Sequence, residues 1–241
     1  MTRRVLVVNP NTSSAVTEAY LAAARNVAGD DAALTGVTGR FGARIVTTEA
    51  ENVIAGHAAL DLVAEHAAGF DAVILAISFD TALDALRSVL TVPVIGITEA
   101  ALQAASASWR RVGVVIFGEV SRGLYEKVVA RYGVVPAGMA TVEIAGTADY
   151  LSPEAKDAAV CAACDQLAAE GAEAVVICGA AIVGMADRIA AKVPVPVFDG
   201  VEAVRSVLSG AVKVGGNAQV PLAESVGLSP ALTRFLRGDP S

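Results

Sequence analysis

The sequence predicts an α/β fold of two similar lobes, each a parallel sheet flanked by helices, related by approximate two-fold symmetry with a cleft between them. Three observations lead there. Short apolar runs alternate with longer Ala-rich segments of helical period, the order of a parallel sheet with right-handed crossovers. The chain is 54% hydrophobic, 18% charged and 5% aromatic over 241 residues, so it has ample material for a core of small side chains packed on parallel strands. Finally, the chain repeats itself. "GFDAVILAIS" (69–78) resembles "GAEAVVICGA" (171–180) at an offset of 102, and "VPVIGITEA" (92–100) resembles "VPVFDGVEA" (195–203) at an offset of 103. Each first block has an acid before its apolar run (Asp71, Glu173), and each second block has a Glu after it (Glu99, Glu202).

In chain order, runs apolar on both faces predict strands over 4–8, 72–77, 93–97, 112–117, 174–178 and 194–198, with a weaker one near 140–145. Between them, helices are predicted near 13–28, 48–67, 81–89, 98–108, 120–132, 153–169, 184–191 and 200–210. Ser13, Thr98, Ser121 and Ser152 (before Pro153) read as their caps. The expected division is residues 1–98 for the first lobe and 99–205 for the second, with 206–241 returning to the first. No apolar run is long enough to span a membrane. The N-terminal "MTRRVLVVNPN" reaches a polar turn after four apolar residues, too soon for a secretory signal, so a cytoplasmic protein is expected. The net charge of −7 argues against a nucleic-acid partner. Cys161 and Cys164 share a face of an Ala-rich helix and read as packing. His57 and His66 lack a ligand pattern, and no metal is expected.

In such a fold, ligands sit beyond the carboxyl ends of the strands. Four segments are placed there. In Asn9–Ser14, the side chains of Asn9, Asn11 and Thr12 and the start of a helix make either a cradle for a carboxylate or imide, or an Asx-Pro turn needing no ligand. In Ile77–Ala82, Ser78 and Thr81 are donors, while Asp80 reads as a helix cap. In Phe117–Arg122, Gly118 permits close backbone approach. In Cys178–Gly184, Cys178 is either an activated thiol or a core residue, with Gly179 beside it.

"VLVVNPNTS", "FDTALDALRSVLTVPVIGITEAA" (79–101) and "GAEAVVICGAAIVGMADRIAAKVPVPVFDGVEAV" (171–204) resemble the aspartate/glutamate/hydantoin racemase superfamily, particularly its hydantoin and allantoin racemases. The resemblance implies facing α/β lobes and cofactor-independent proton transfer at a carbon next to a carbonyl, with one cysteine removing a proton and another returning one. It also makes Asn11, with Asn9 and Thr12 near it, a candidate for substrate binding. Two departures stand out. The first cysteine position falls on Ile77. The second falls on Gly179 when counted along the strand, or on Cys178 when cysteine is matched to cysteine; the two alignments send the side chain to opposite faces. At Ile116–Gly118 the chain also lacks threonines that many relatives use to bind an acid group.

The expectation is a cofactor-independent racemase-family enzyme acting on a small hydantoin-, allantoin- or amino-acid-like compound. Cys178 is its acid/base group, and Asn9, Asn11, Thr12, Ser78, Thr81, Gly118 and Gly179 bind substrate. The alternatives are a one-cysteine decarboxylase resembling arylmalonate decarboxylase, and a non-catalytic binder of small carboxylates. Cys178→Ala is expected to abolish activity, Asn11→Ala to weaken binding, and a homo-oligomer is the default for such folds.

Overall fold

A computed structural model describes residues 2–210 and 225–237. The first half runs β1 (Arg3–Asn9), α1 (Ser14–Ala28), β2 (Ala32–Thr38), α2 (Glu49–His66), β3 (Ala72–Leu75), α3 (Leu83–Val89), β4 (Val94–Gly96) and α4 (Ile97–Ser106). The second half runs β5 (Val112–Phe117), α5 (Arg122–Arg131), β6 (Gly138–Val142), the short α6 (Thr147–Tyr150), α7 (Asp157–Ala169), β7 (Ala174–Ile177), α8 (Met185–Ile189), β8 (Val197–Phe198), α9 (Glu202–Ser209) and α10 (Pro230–Arg237). Two four-stranded sheets result, ordered β2-β1-β3-β4 and β6-β5-β7-β8, with every pairing parallel. The two orders correspond position by position, as the sequence repeat requires.

The repeated acids do equivalent work. Asp71 accepts from the Arg4 N–H at 2.7 Å, and Glu173 accepts from the Arg110 and Arg111 N–H groups at 2.9 and 3.1 Å. Each carboxylate therefore ties the entry of one strand to its neighbour. Alternate residues along the central strands feed two separate cores. Val5, Val7, Val175 and Ile177 belong to one, and Leu6, Val8, Val176 and Cys178 to the other. A strand buried on both faces gains roughly 1.5–3 kcal/mol for each large side chain it removes from water, which favours continuous Val/Ile/Leu runs in these positions.

Several expectations are corrected. Strand β2 was not predicted, because "AALTGVT" is half-buried at a sheet edge and breaks the apolar run with Thr35 and Gly36. Gly36 leaves room there for α1: a Cβ would lie 2.6 Å from Leu21 and 2.8 Å from Thr17. None of the four predicted caps bonds through its side chain to the start of its helix. Ser13, Ser121 and Ser152 hold the cap position without such a bond, and Thr98 lies inside α4. The true capping box is Thr48 with Glu51 at the start of α2. Asp80 caps α4, not α3, by accepting from the Thr98 and Glu99 N–H groups at 3.2 and 2.8 Å.

At the C-terminal end, α10 packs on α2, and the Ser229 hydroxyl donates to Asp61 at 2.5 Å. Residues 211–224 and 238–241 of the predicted returning segment lie outside the described residues. Among the described residues no helix is long and apolar enough to cross a membrane.

Candidate active site

The carboxyl ends of both sheets face one cleft. Its walls are Asn11, Val16, Ile45, Val46, Thr47, Ile77, Ser78 and Phe79 from the first lobe, and Phe117, Ser121, Tyr125, Ile144, Tyr150 and Ala180 from the second. The free space inside is about 30 Å³, room for a water molecule or two.

The opening turn divides its two asparagines. Asn9 is fully buried, and its Nδ2 donates to Asn11 Oδ1 (2.9 Å), the Ser13 carbonyl (3.1 Å) and Thr17 Oγ1 (3.0 Å). Its Oδ1 accepts from the Asn11 N–H at 3.2 Å. Asn9 is thus a structural bolt, which corrects its assignment to substrate binding. Asn11 lines the cleft. Its Oδ1 accepts from Asn9 and from the Ser13 N–H at 2.9 Å, so the amide is fixed and Nδ2 is the group left to face the cleft. Thr12 and Thr81 do not line the cleft: the Thr12 N–H donates to the Ala43 carbonyl, and the Thr81 hydroxyl donates to Asn52 Oδ1 at 2.6 Å. Gly118 is also outside the wall, at φ +75, with its N–H on the Val142 carbonyl.

Ser78 does reach the cleft, beside two phenols not anticipated from sequence. Burial pushes the Tyr150 phenol up to about 12 and the Tyr125 phenol well above its ordinary value; in both, the Ser78 hydroxyl works against that shift. Tyr125 meets Phe79 edge-on at 4.8 Å, and Tyr150 meets Phe117 at 6.0 Å. The signal available in sequence was scarcity. The chain has only four tyrosines, and spending two of them on one cleft is informative only after folding.

Cys178 is not on the cleft wall. Its thiol is buried among apolar residues, and burial, with the nearby Asp80 adding, pushes it up to about 12. The ladder explains why. The Ala76 N–H donates to the Val8 carbonyl at 2.8 Å, and the Cys178 N–H donates to the Val115 carbonyl at 2.9 Å. Since Val8 pairs with Leu75 and Val115 with Ile177, Cys178 is the counterpart of Ala76, and Gly179 is the counterpart of Ile77. Ile77 lines the cleft, whereas its ladder counterpart Gly179, expected to bind substrate, is not on the wall; the second lobe presents the next residue, Ala180, there. This corrects the placement of Cys178 as the group facing substrate. No thiol is among the residues that line the cleft.

The sequence profile described as Asp/Glu/Hydantoin racemase matches residues 5–206. The chain belongs to the Asp/Glu/hydantoin racemase family. It is 29% identical over 219 residues to a hydantoin racemase of Paenarthrobacter aurescens, covering 88% of this chain and 92% of that one. Among solved structures it is similar to an allantoin racemase from Klebsiella pneumoniae, with a TM-score of 0.83 at 26% identity over 96% of this chain and 99% of that one. It is also similar to an allantoin racemase from Pseudomonas fluorescens, with a TM-score of 0.75 at 30% identity over 86% and 89% of the two chains. The protein is therefore an isomerase by family, a racemase-type enzyme whose cleft is lined by Ile77 from one lobe and Ala180 from the other.

Proposed function

We propose that this racemase-family enzyme takes a small hydantoin-, allantoin- or amino-acid-like compound between its lobes and moves a proton at the carbon next to a carbonyl, with no cofactor. The observation that carries this reading is the fixed Asn11 amide, turned toward a cleft built from the strand ends of both sheets. Removing a proton next to a carbonyl places negative charge on the carbonyl oxygen. Donors held in place by the fold stabilise that charge without having to reorganise. Asn11 Nδ2 and the hydroxyls of Ser78 and Tyr125 are donors of this kind. The apolar remainder, Val16, Val46, Ile77 and Phe117, excludes water and suits a compact ring.

A second reading, binding without turnover, is favoured by the loss of a thiol from both facing strand ends. The one-cysteine decarboxylase loses its support, because it needs the Cys178 sulfur in the cleft. The test is incubation with hydantoins, allantoin and amino acids in deuterated water. Deuterium at the α-carbon and loss of optical rotation are expected. Binding by calorimetry with no exchange for any compound establishes the second reading instead.

A further inference from the structure

Gly179 is the ladder counterpart of Ile77 and directly precedes Ala180 of the cleft wall. Its φ of +145 favours glycine, and a Cβ there would meet Ile182 Cγ1 at 2.6 Å and the Tyr150 hydroxyl at 3.0 Å. The space such a side chain would need is filled by Ile182 and bordered by the Tyr150 hydroxyl, and of the two residues only Tyr150 also lines the cleft. We propose that Tyr150 is the catalytic proton carrier of the second lobe, its hydroxyl standing in for the side chain absent at Gly179.

The surroundings fit that role. Tyr150 is the last residue of α6, and its ring is held against Phe117. The neighbouring Asp149 is anchored by the Ala145 N–H at 2.8 Å and by Lys156 at 2.5 Å, which fixes the turn that delivers the phenol. The backbone N–H groups of Ala181 and Ala180 and the Ser78 hydroxyl all favour the ionised phenol, opposing burial and the nearby Cys178. Tyr125, the other titratable group beside it, is also protonated at neutral pH. In the forward step the phenolate oxygen takes the proton from the substrate carbon, and the C–H electron pair moves into the enolate. In the return step the phenol O–H gives a proton back to that carbon, regenerating the phenolate: on the same face this is exchange with retention, and after the planar enolate turns over in the cleft it gives the opposite enantiomer. No oxidant or other reactant is needed.

This inference rests on the proton-transfer reading above. Its test compares wild type, Tyr150→Phe and Cys178→Ala for deuterium exchange and for binding of the same compounds. Tyr150→Phe keeps the ring on Phe117. The expected result is a loss of exchange of about 100-fold or more in Tyr150→Phe with affinity held within about threefold. Wild-type exchange should rise about tenfold per pH unit between about pH 7 and 11, because the base form of a high-pKa phenol grows at that rate. A more acidic fluorotyrosine at position 150 should move this rise to lower pH. Exchange that survives Tyr150→Phe, or that is lost in Cys178→Ala alone, overturns the role of Tyr150 and leaves the proton-transfer reading intact. Wild type that shows no exchange across that pH range, with or without binding, overturns both.

Discussion

Asn9 and Asn11 carry the same amide two residues apart, and their surroundings give them different work. Asn9 Nδ2 serves three acceptors inside the fold. Asn9→Ala should therefore lower stability by about 1–3 kcal/mol, the cost of leaving buried polar groups unpaired, read as a lower melting temperature. Asn11→Asp keeps the Oδ1 acceptor for the Ser13 N–H but replaces the donor facing the cleft with a carboxylate oxygen. Ligand affinity should fall by about tenfold or more in calorimetry, with little change in melting temperature. Cys178 belongs with Asn9 as a packing residue. Cys178→Ala should leave exchange within about threefold and cost about 1 kcal/mol through lost contacts. These differences were not legible in "VLVVNPNTSS" or "ICGAA", because either asparagine can form an Asx turn, and a strand-end thiol points in or out according to a one-residue register.

Among the elements, α2 starts with the clearest local signal in the chain. Thr48 accepts from the Glu51 N–H at 3.3 Å, and Glu51 accepts from the Thr47 and Thr48 N–H groups at 2.8 and 3.0 Å. These bonds hold the Glu51 carboxyl below its ordinary range, the Thr47 N–H contributing most among them. Thr48→Ala should cost about 1 kcal/mol, measured by denaturant unfolding. This T-x-x-E pattern is a purely local signal, although it was not among the caps expected from sequence, whereas β2 has no such signal. An edge strand needs only one apolar side, and "AALTGVT" shows no strict period of two. Strands β6 and β8 are half-buried edges, whereas the central strands were legible because their residues are buried on both faces. Their ends carry the site, and there the decisive residue was a glycine. Gly179 shows in sequence only as permissive backbone; its closeness to Tyr150, 29 residues earlier in the chain, exists only after β7 and α6 meet.

At the scale of the whole molecule, helix α5 joins the lobes across the cleft. The Tyr132 hydroxyl, at its end, donates to Asp80 at 2.7 Å, Arg131 pairs with Asp84 at 2.7 Å, and Lys127 pairs with Glu49. Asp80 sits at φ +46, a strained setting for a side-chain-bearing residue, and it is held by the Tyr132 bond and its cap on α4. Burial pushes its carboxyl up to about 7 against those donors. A carboxyl whose folded pKa lies above its unfolded value binds more protons when folded, so its stabilising contribution is present at low pH. That contribution is lost as pH rises from the unfolded value toward 7. Melting temperature should therefore carry a downward component from about pH 4 to 7, reduced in Asp80→Asn relative to wild type. Burial also raises Asp199 and Glu202, in the same direction, so the difference between the two proteins isolates Asp80.

The sequence by itself determined the α/β class, the two-lobed repeat, the place of every strand but β2 along the chain and the cleft at the strand ends. These follow from local apolar runs and from a repeat that survives as similarity at a nearly constant offset. Tertiary structure alone decided which groups face the cleft. Asn9, Thr81 and Cys178 turn away, while Asn11, Ser78, Tyr125 and Tyr150 converge. The physical reason is that a side chain's direction depends on ladder register and on neighbours far apart in the chain.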